Sequence, residues 1–183
     1  MVSIPSSFRL NRKMLDVREL IDLRSRGRIK EAISLLSQEL ELHPDQAELW
    51  KLLGHAYDFE NERHLAIACW TKAIELDAHP GDYFFRARSR IMTGDFEGVL
   101  QDCNMILNSQ HPTASYFTSA VHPIKADILT RLHRYSDALS ELEHMDDTPF
   151  WTDRLLTKAE ILIEIEQAQI DQMRGTAGEW RKL

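Results

Sequence analysis

Eight histidines and two cysteines are the side chains of this 183-residue sequence best suited to metal binding, proton transfer or nucleophilic attack. Four of them, His111, His122, His133 and His144, stand at a constant spacing of 11 residues, close to three turns of an α-helix. His111 and His122 each precede a proline, and His133 falls at a turn, so no continuous helix would align the four. Glu141 and His144 would share a helix face, but two ligands are too few for a metal centre. Cys69 and Cys103 sit inside helical apolar patterns, where a thiol packs as a small hydrophobe; reduced packing residues are expected rather than a disulfide, a metal pair or a nucleophile. The chain contains no His-Glu-x-x-His, Gly-rich phosphate loop, Gly-x-Ser-x-Gly or Cys-x-x-Cys. No enzymatic activity, metal or other cofactor is therefore expected.

Charge narrows the partners. The formal net charge is −7, and residues 1–46 carry 8 basic and 7 acidic side chains, so the excess of acid lies beyond them. Nucleic acid and anionic membranes both reward a basic face, which disfavours them as partners. Arg86, Arg88 and Arg90 alternate within a predicted helix and would spread over roughly 200° of its circumference, not along one stripe. No apolar run approaches the ~20 residues needed to span a bilayer, and the N-terminus lacks a basic start followed by an apolar stretch. A reducing, cytoplasmic setting is expected.

The elements that must position these residues are helical. Hydrophobic content of 43% is enough for one domain with a real core. Between Ala47 and Pro80 the spacing predicts helix, tight turn, helix, with Trp50, Leu53, Gly54 and Tyr57 on the first half and Ala66, Trp70 and Ala73 on the second. This order, Trp-x-x-Leu-Gly-x-x-Tyr followed by Ala-x-x-x-aromatic and a closing proline, resembles the tetratricopeptide repeat (TPR). The resemblance implies an all-α, right-handed α-solenoid of antiparallel helix pairs. About four TPR-like repeats are expected, at 13–46, 47–79, 80–112 and 113–149, after an N-terminal lead-in at 1–12. A C-terminal capping helix at 150–174 and a mobile tail at 175–183 complete the expected organisation.

Packing gives the motif its meaning. Gly54 removes a side chain where the paired helix passes closely, and Ala66 supplies the small surface opposite. Trp50, Tyr57 and Trp70 are expected to fill the volume between this pair and the next. In the third unit Arg90 occupies the place of a packing aromatic, so it must find an ion-pair partner or contact a ligand. Pro123 is expected near the start of a helix, after a long linker from Ser109 to His122. The last helix is expected from about Phe150 to Met173. Ile161, Ile163 and Ile165 leave it apolar around much of its girth, as befits a helix tucked under a neighbour or one that forms a homodimer contact. Trp180 beyond it could dock on a partner or in the core.

The resemblance further implies that the first helices line a concave face that binds a peptide or protein partner. Carried onto this register, the residues facing it are Met14, Val17, Ile21 and Arg24 in the first unit, Glu48, Lys51, His55, Asp58 and Phe59 in the second, Phe84, Arg88, Ile91 and Met92 in the third, and Asp127, Thr130 and Arg131 in the fourth, with Val17, Ile21, Lys51, His55, Phe59, Phe84, Arg88, Met92, Asp127 and Arg131 the expected partner contacts. Apolar side chains with scattered charges suit a peptide held by a few anchors; alternatively Ile4 and Phe8 of the lead-in fill the groove. The carboxylate clamp of heat-shock-binding members is missing. Val17, Ile21 and Leu52 stand at three of its places in one register, and His55, Phe85 and Ile124 in the other. The expected function is a non-catalytic protein-interaction module. A toxin-neutralising immunity or inhibitor protein, or a secretion-type chaperone, would use the same array.

Overall fold

The computed structural model describes residues 16–180, with side chains through Arg174. Its elements are α1 (Val17–Ser25), α2 (Ile29–Leu42), α3 (Ala47–Phe59), α4 (Arg63–Leu76), α5 (Pro80–Thr93), α6 (Phe96–Leu107), α7 (Ser115–Arg131), α8 (Tyr135–Leu142), β1 (Phe150–Trp151), β2 (Leu155–Leu156) and α9 (Lys158–Trp180). Successive helices pack on one another, so α1 to α8 form four stacked pairs and α9 lies against α7 and α8. The expected lead-in, with Ile4 and Phe8, lies outside the described residues, as do Met14 and the last three residues of the expected tail. No described helix is long and apolar enough to cross a membrane.

One backbone device closes every pair. Gly27, Asn61, Gly94 and His133 take φ of 68°, 64°, 77° and 59°. The residue after each donates its N–H five residues back, Arg28 to Leu23, Glu62 to Tyr57, Asp95 to Arg90 and Arg134 to Leu129, at 2.8–3.0 Å. This is the Schellman reversal, which satisfies carbonyls that the helix end would otherwise orphan. Two positions use glycine, for which a positive φ carries no Cβ penalty; Asn61 and His133 hold the same geometry with side chains that tolerate it better than most.

The third and fourth pairs are separated by an insertion, and here the structure departs from the expected linker. Residues 108–114 form turns, after which α7 begins at Ser115 and carries Pro123 in its interior. A proline inside a helix removes one backbone hydrogen bond. Tertiary packing offsets that loss: Pro123 is buried, and Phe117, two turns ahead, lies against Phe84 at 5.1 Å between ring centroids.

The core has two parts. The first joins α1 to α4 through Leu20, Leu36, Leu52 and Ala56, with Trp50 and Tyr57 packed against it. Trp50 donates its Nε1–H to the Pro44 carbonyl at 2.9 Å, so these two aromatics face the first pair rather than filling space toward the third. Trp70 alone of the three makes that bridge. Fully buried, it stacks on Phe85 of α5 at 5.2 Å and meets the edge of His55 at 4.7 Å. Gly54 makes room for it, because a Cβ there would stand 2.8 Å from Trp70 Cε2. The second part joins α5 to α9 through Ile91, Val99, Cys103, Ile128, Ile161 and Ile165. Between α5 and α6 it encloses Asp102, which pairs with Arg86 at 2.6 Å and Arg90 at 2.9 Å. Arg90 also donates to the Gly98 carbonyl at 2.9 Å, so its place in the motif holds a structural ion pair.

The C-terminal helix starts at Lys158, eight residues later than the apolar pattern suggested. Phe150–Trp151 pairs antiparallel with Leu155–Leu156 instead. The turn between them delivers Asp153 and Arg154 to charged partners on α7 and α9, contacts a continuous helix would not make. Thr157 and Glu160 then start α9 as a capping box, with Thr157 N–H on the Glu160 carboxylate at 2.7 Å and Glu160 N–H on Thr157 Oγ1 at 3.2 Å. The helix continues past Gly175 to Trp180, through the start of the expected tail.

Candidate peptide-binding groove

The first helices of the four pairs, α1, α3, α5 and α7, meet around a recess of about 320 Å³. Phe85 supplies its open apolar surface together with Val17 from α1 and Phe117 from α7, over the buried Leu52 and Trp70. Phe117 is there only because α7 extends ahead of Pro123. Polar groups enter from two helices, Glu48, Lys51 and His55 from α3, and His79 and Asp82 from the start of α5.

Their electrostatics follow from burial. Lys51 Nζ lies 3.4 Å from Asp82, 3.7 Å from Asp77 and 3.9 Å from Glu48. Asp82 is 3% exposed, and its Oδ2 makes no hydrogen bond, since Lys51 stands within ion-pair range but outside hydrogen-bonding geometry. Burial pushes the Asp82 carboxyl up to about 6, against the opposing pull of Lys51. His79 caps α5, its Nδ1 accepting from Gly81 N–H at 3.1 Å. Its Nε2 lies 3.1 Å from Thr113 Oγ1, which ties the insertion before α7 to the rim. Burial, with Lys51 and His111 nearby, lowers the His79 pKa. Burial also lowers that of His55, and Asp58 opposes the shift only in part. Both imidazoles are therefore neutral at pH 7, able to donate and accept but not to balance the carboxylates.

The structure brings together Val17, Lys51 and His55 in the recess. Phe84 adjoins it through the ring contacts with Phe85, at 5.7 Å, and Phe117. Ile21, Arg88 and Met92 are exposed further along α1 and α5. Phe59 is half-buried beneath the Arg24 guanidinium, 4.8 Å from its ring centroid. The fourth-unit pair is placed differently. Asp127 is fully buried and accepts from Arg131 at 3.1 Å and from Arg154 at 2.7 Å. Arg131 also pairs with Asp153, and Arg154 with Glu164 at 2.6 Å. Asp127 and Arg131 therefore fasten the hairpin to α7, and Asp127 is fully buried, because residues 150–156 fold as a hairpin where the sequence predicted the start of the last helix. Asp82, His79, Phe85 and Phe117 are the groove residues that reading missed. The Thr157-x-x-Glu160 capping box was a visible sign that the last helix starts late. No local signal marked Phe117, whose place depends on a proline-containing helix held by tertiary contacts.

Set beside known proteins, the chain matches no family model and no curated protein. Nine solved chains match it in structure. One, described as the crystal structure of MamA, superposes with a TM-score of 0.59 at 16% sequence identity, over 72% of this chain and 73% of that one. The fold is TPR-like. The likeness is of backbone path and stacking, an all-α helical repeat in which each pair buries its apolar face on the next.

Proposed function

We propose that this TPR-like array is a non-catalytic protein-interaction module that holds a segment of a protein partner in the groove lined by α1, α3, α5 and α7. The observation that carries this reading is the recess itself, an apolar surface open between four first helices with one buried carboxylate oxygen, Asp82 Oδ2, at its edge. Such a surface offers anchor pockets to a peptide, and flanking apolar groups such as Ile21 and Met92, 54% and 52% exposed, extend it. The two thiols supply no nucleophile, since burial pushes both up to about 12. Selection of peptides from a random display library on the full chain tests the reading. Binding should be lost on Phe84→Glu and kept on Leu65→Glu, which alters an exposed side chain of α4. Equal binding to both variants would place the interaction elsewhere. A salt titration separates the inhibitor from the chaperone: steep weakening fits a charge-matched inhibitor, and indifference fits capture of apolar anchors.

A second contact surface is supported by α9. Ile161 and Ile165 point into the core, whereas Ile163, Ile170 and Met173 are 63%, 43% and 70% exposed along the outer side of the helix. We assign this stripe to contact with a second copy of the chain, a self-complementary surface of the kind that closes a two-fold dimer.

A further inference from the structure

We infer that the recess is a subsite for a basic side chain of the partner segment, a lysine or arginine, whose charged head meets Asp82 while its aliphatic stem lies along Phe85 and Phe117. This deepens the groove reading and rests on it. Three features point the same way. Charge comes first: Lys51 is set among Asp82, Asp77 and Glu48, so the ionised set carries a formal excess of two negative charges, and the neutral imidazoles of His55 and His79 do not offset it. Hydrogen bonding comes second. Asp82 Oδ2 is buried without a hydrogen bond, and a buried acceptor left in that state is costly until a donor reaches it. Shape comes third. The recess offers apolar surface from Phe85 and Phe117 near that oxygen, which matches a side chain with an apolar stem and a cationic tip.

Other occupants fit less well. A carboxylate would meet the excess of negative charge. A purely apolar anchor would leave Oδ2 unsatisfied and strip it further of water. A cation bearing several N–H donors satisfies the oxygen and balances the charge together. Lys51 does not already do so, because at 3.4 Å it lacks hydrogen-bonding geometry toward Asp82 and is shared with two further carboxylates. The acidic character of the whole chain, −7 overall, favours encounter with a basic segment.

The probe is a random dodecapeptide display library selected on the full chain at low salt, keeping peptides whose binding Phe84→Glu abolishes. Those peptides should be enriched in lysine or arginine beside apolar residues. In the best of them, replacing the basic residue by its neutral isostere, norleucine for lysine or citrulline for arginine, should weaken binding roughly tenfold to the native chain and less than about twofold to Asp82→Asn. Asp77→Asn alters a side chain that is 72% exposed and leaves the fold intact; it should weaken the same peptide severalfold, which keeps the inference testable if Asp82→Asn does not fold. Groove-dependent peptides without a basic residue, or an isostere loss of equal size on native chain and Asp82→Asn, would overturn this subsite and leave the groove reading standing. If no groove-dependent peptide emerges, both fall.

Discussion

Replacing Gly54 with alanine sets two effects of known sign against each other, and the structure decides which wins. Alanine in a helix interior is favoured over glycine by about 1 kcal/mol. Against this, the new Cβ would stand 2.8 Å from Trp70 Cε2 and 3.1 Å from Cδ2 and Cζ2, closer than carbon atoms pack. Trp70 cannot retreat. Its indole is fully buried, stacked on Phe85 and edged by His55. Overpacking of this kind costs about 1 to 3 kcal/mol, so the net expectation is a loss of up to about 2 kcal/mol. For a chain of this size that lowers the melting temperature by up to roughly 8 °C. Calorimetry or urea denaturation of four proteins, native, Gly54→Ala, Trp70→Leu and the double variant, tests the cause directly. With Trp70 replaced the clash is gone, and Gly54→Ala should then stabilise by up to about 1 kcal/mol. A stabilising Gly54→Ala in the native background, or a sign that fails to reverse, would refute the argument that the indole is what requires glycine.

Cys69 and Cys103 are buried and pushed up to about 12, so a thiol reagent at pH 8 should label neither in the folded chain and both in guanidinium; rapid labelling of the native protein would contradict their burial. Asp82 is raised to about 6 from 3.8, so the folded state holds its proton more tightly and the residue costs stability above pH 6, a cost relieved as pH falls toward 4. Relative to Asp82→Asn, the native chain should gain roughly 2 to 3 kcal/mol between pH 7.5 and 4, and parallel stability profiles would count against a desolvated carboxyl. Removing the fully buried Asp127 by Asp127→Ala takes one of two carboxylate partners from each of Arg131 and Arg154 and should cost roughly 1.5 to 3 kcal/mol, whereas Asp153→Ala, a more exposed partner, should cost under about 1 kcal/mol in denaturant titrations. Sedimentation of the native chain should show a concentration-dependent dimer that Ile163→Glu dissociates; an unchanged sedimentation coefficient in that variant would remove α9 as the contact.

Much of the fold was legible because it is local. The intervals from Gly27 to Asn61 and from Asn61 to Gly94, 34 and 33 residues, preserve one supersecondary unit, and the helical period within it marks the buried face. Departures came where distant groups overrode local pattern. Pro123 reads as a helix start, yet the helix begins at Ser115 because buried packing compensates one missing backbone bond. Phe150 reads as the start of a helix, yet it belongs to a hairpin drawn down by Arg131 and Arg154 onto charges that lie 10 to 27 positions away in the chain.

The candidate groove divides along the same line. Val17, Lys51, His55 and Phe84 were reached through the repeat register that the TPR resemblance implies, and helical geometry then sets which residues share a helix face. By itself the sequence determined the helix pairs, their order and the glycine that admits Trp70. Which charges became surface and which became internal fastening was decided only by tertiary structure. Asp82 and Asp127 are both acids on first helices, and both are buried. Asp127 is enclosed with two arginines at 2.9 and 2.7 Å, one of them brought by a hairpin from later in the chain, whereas Asp82 is left beside a single lysine 3.4 Å away. Burial and partner choice depend on contacts between segments far apart in sequence, and no local period encodes them.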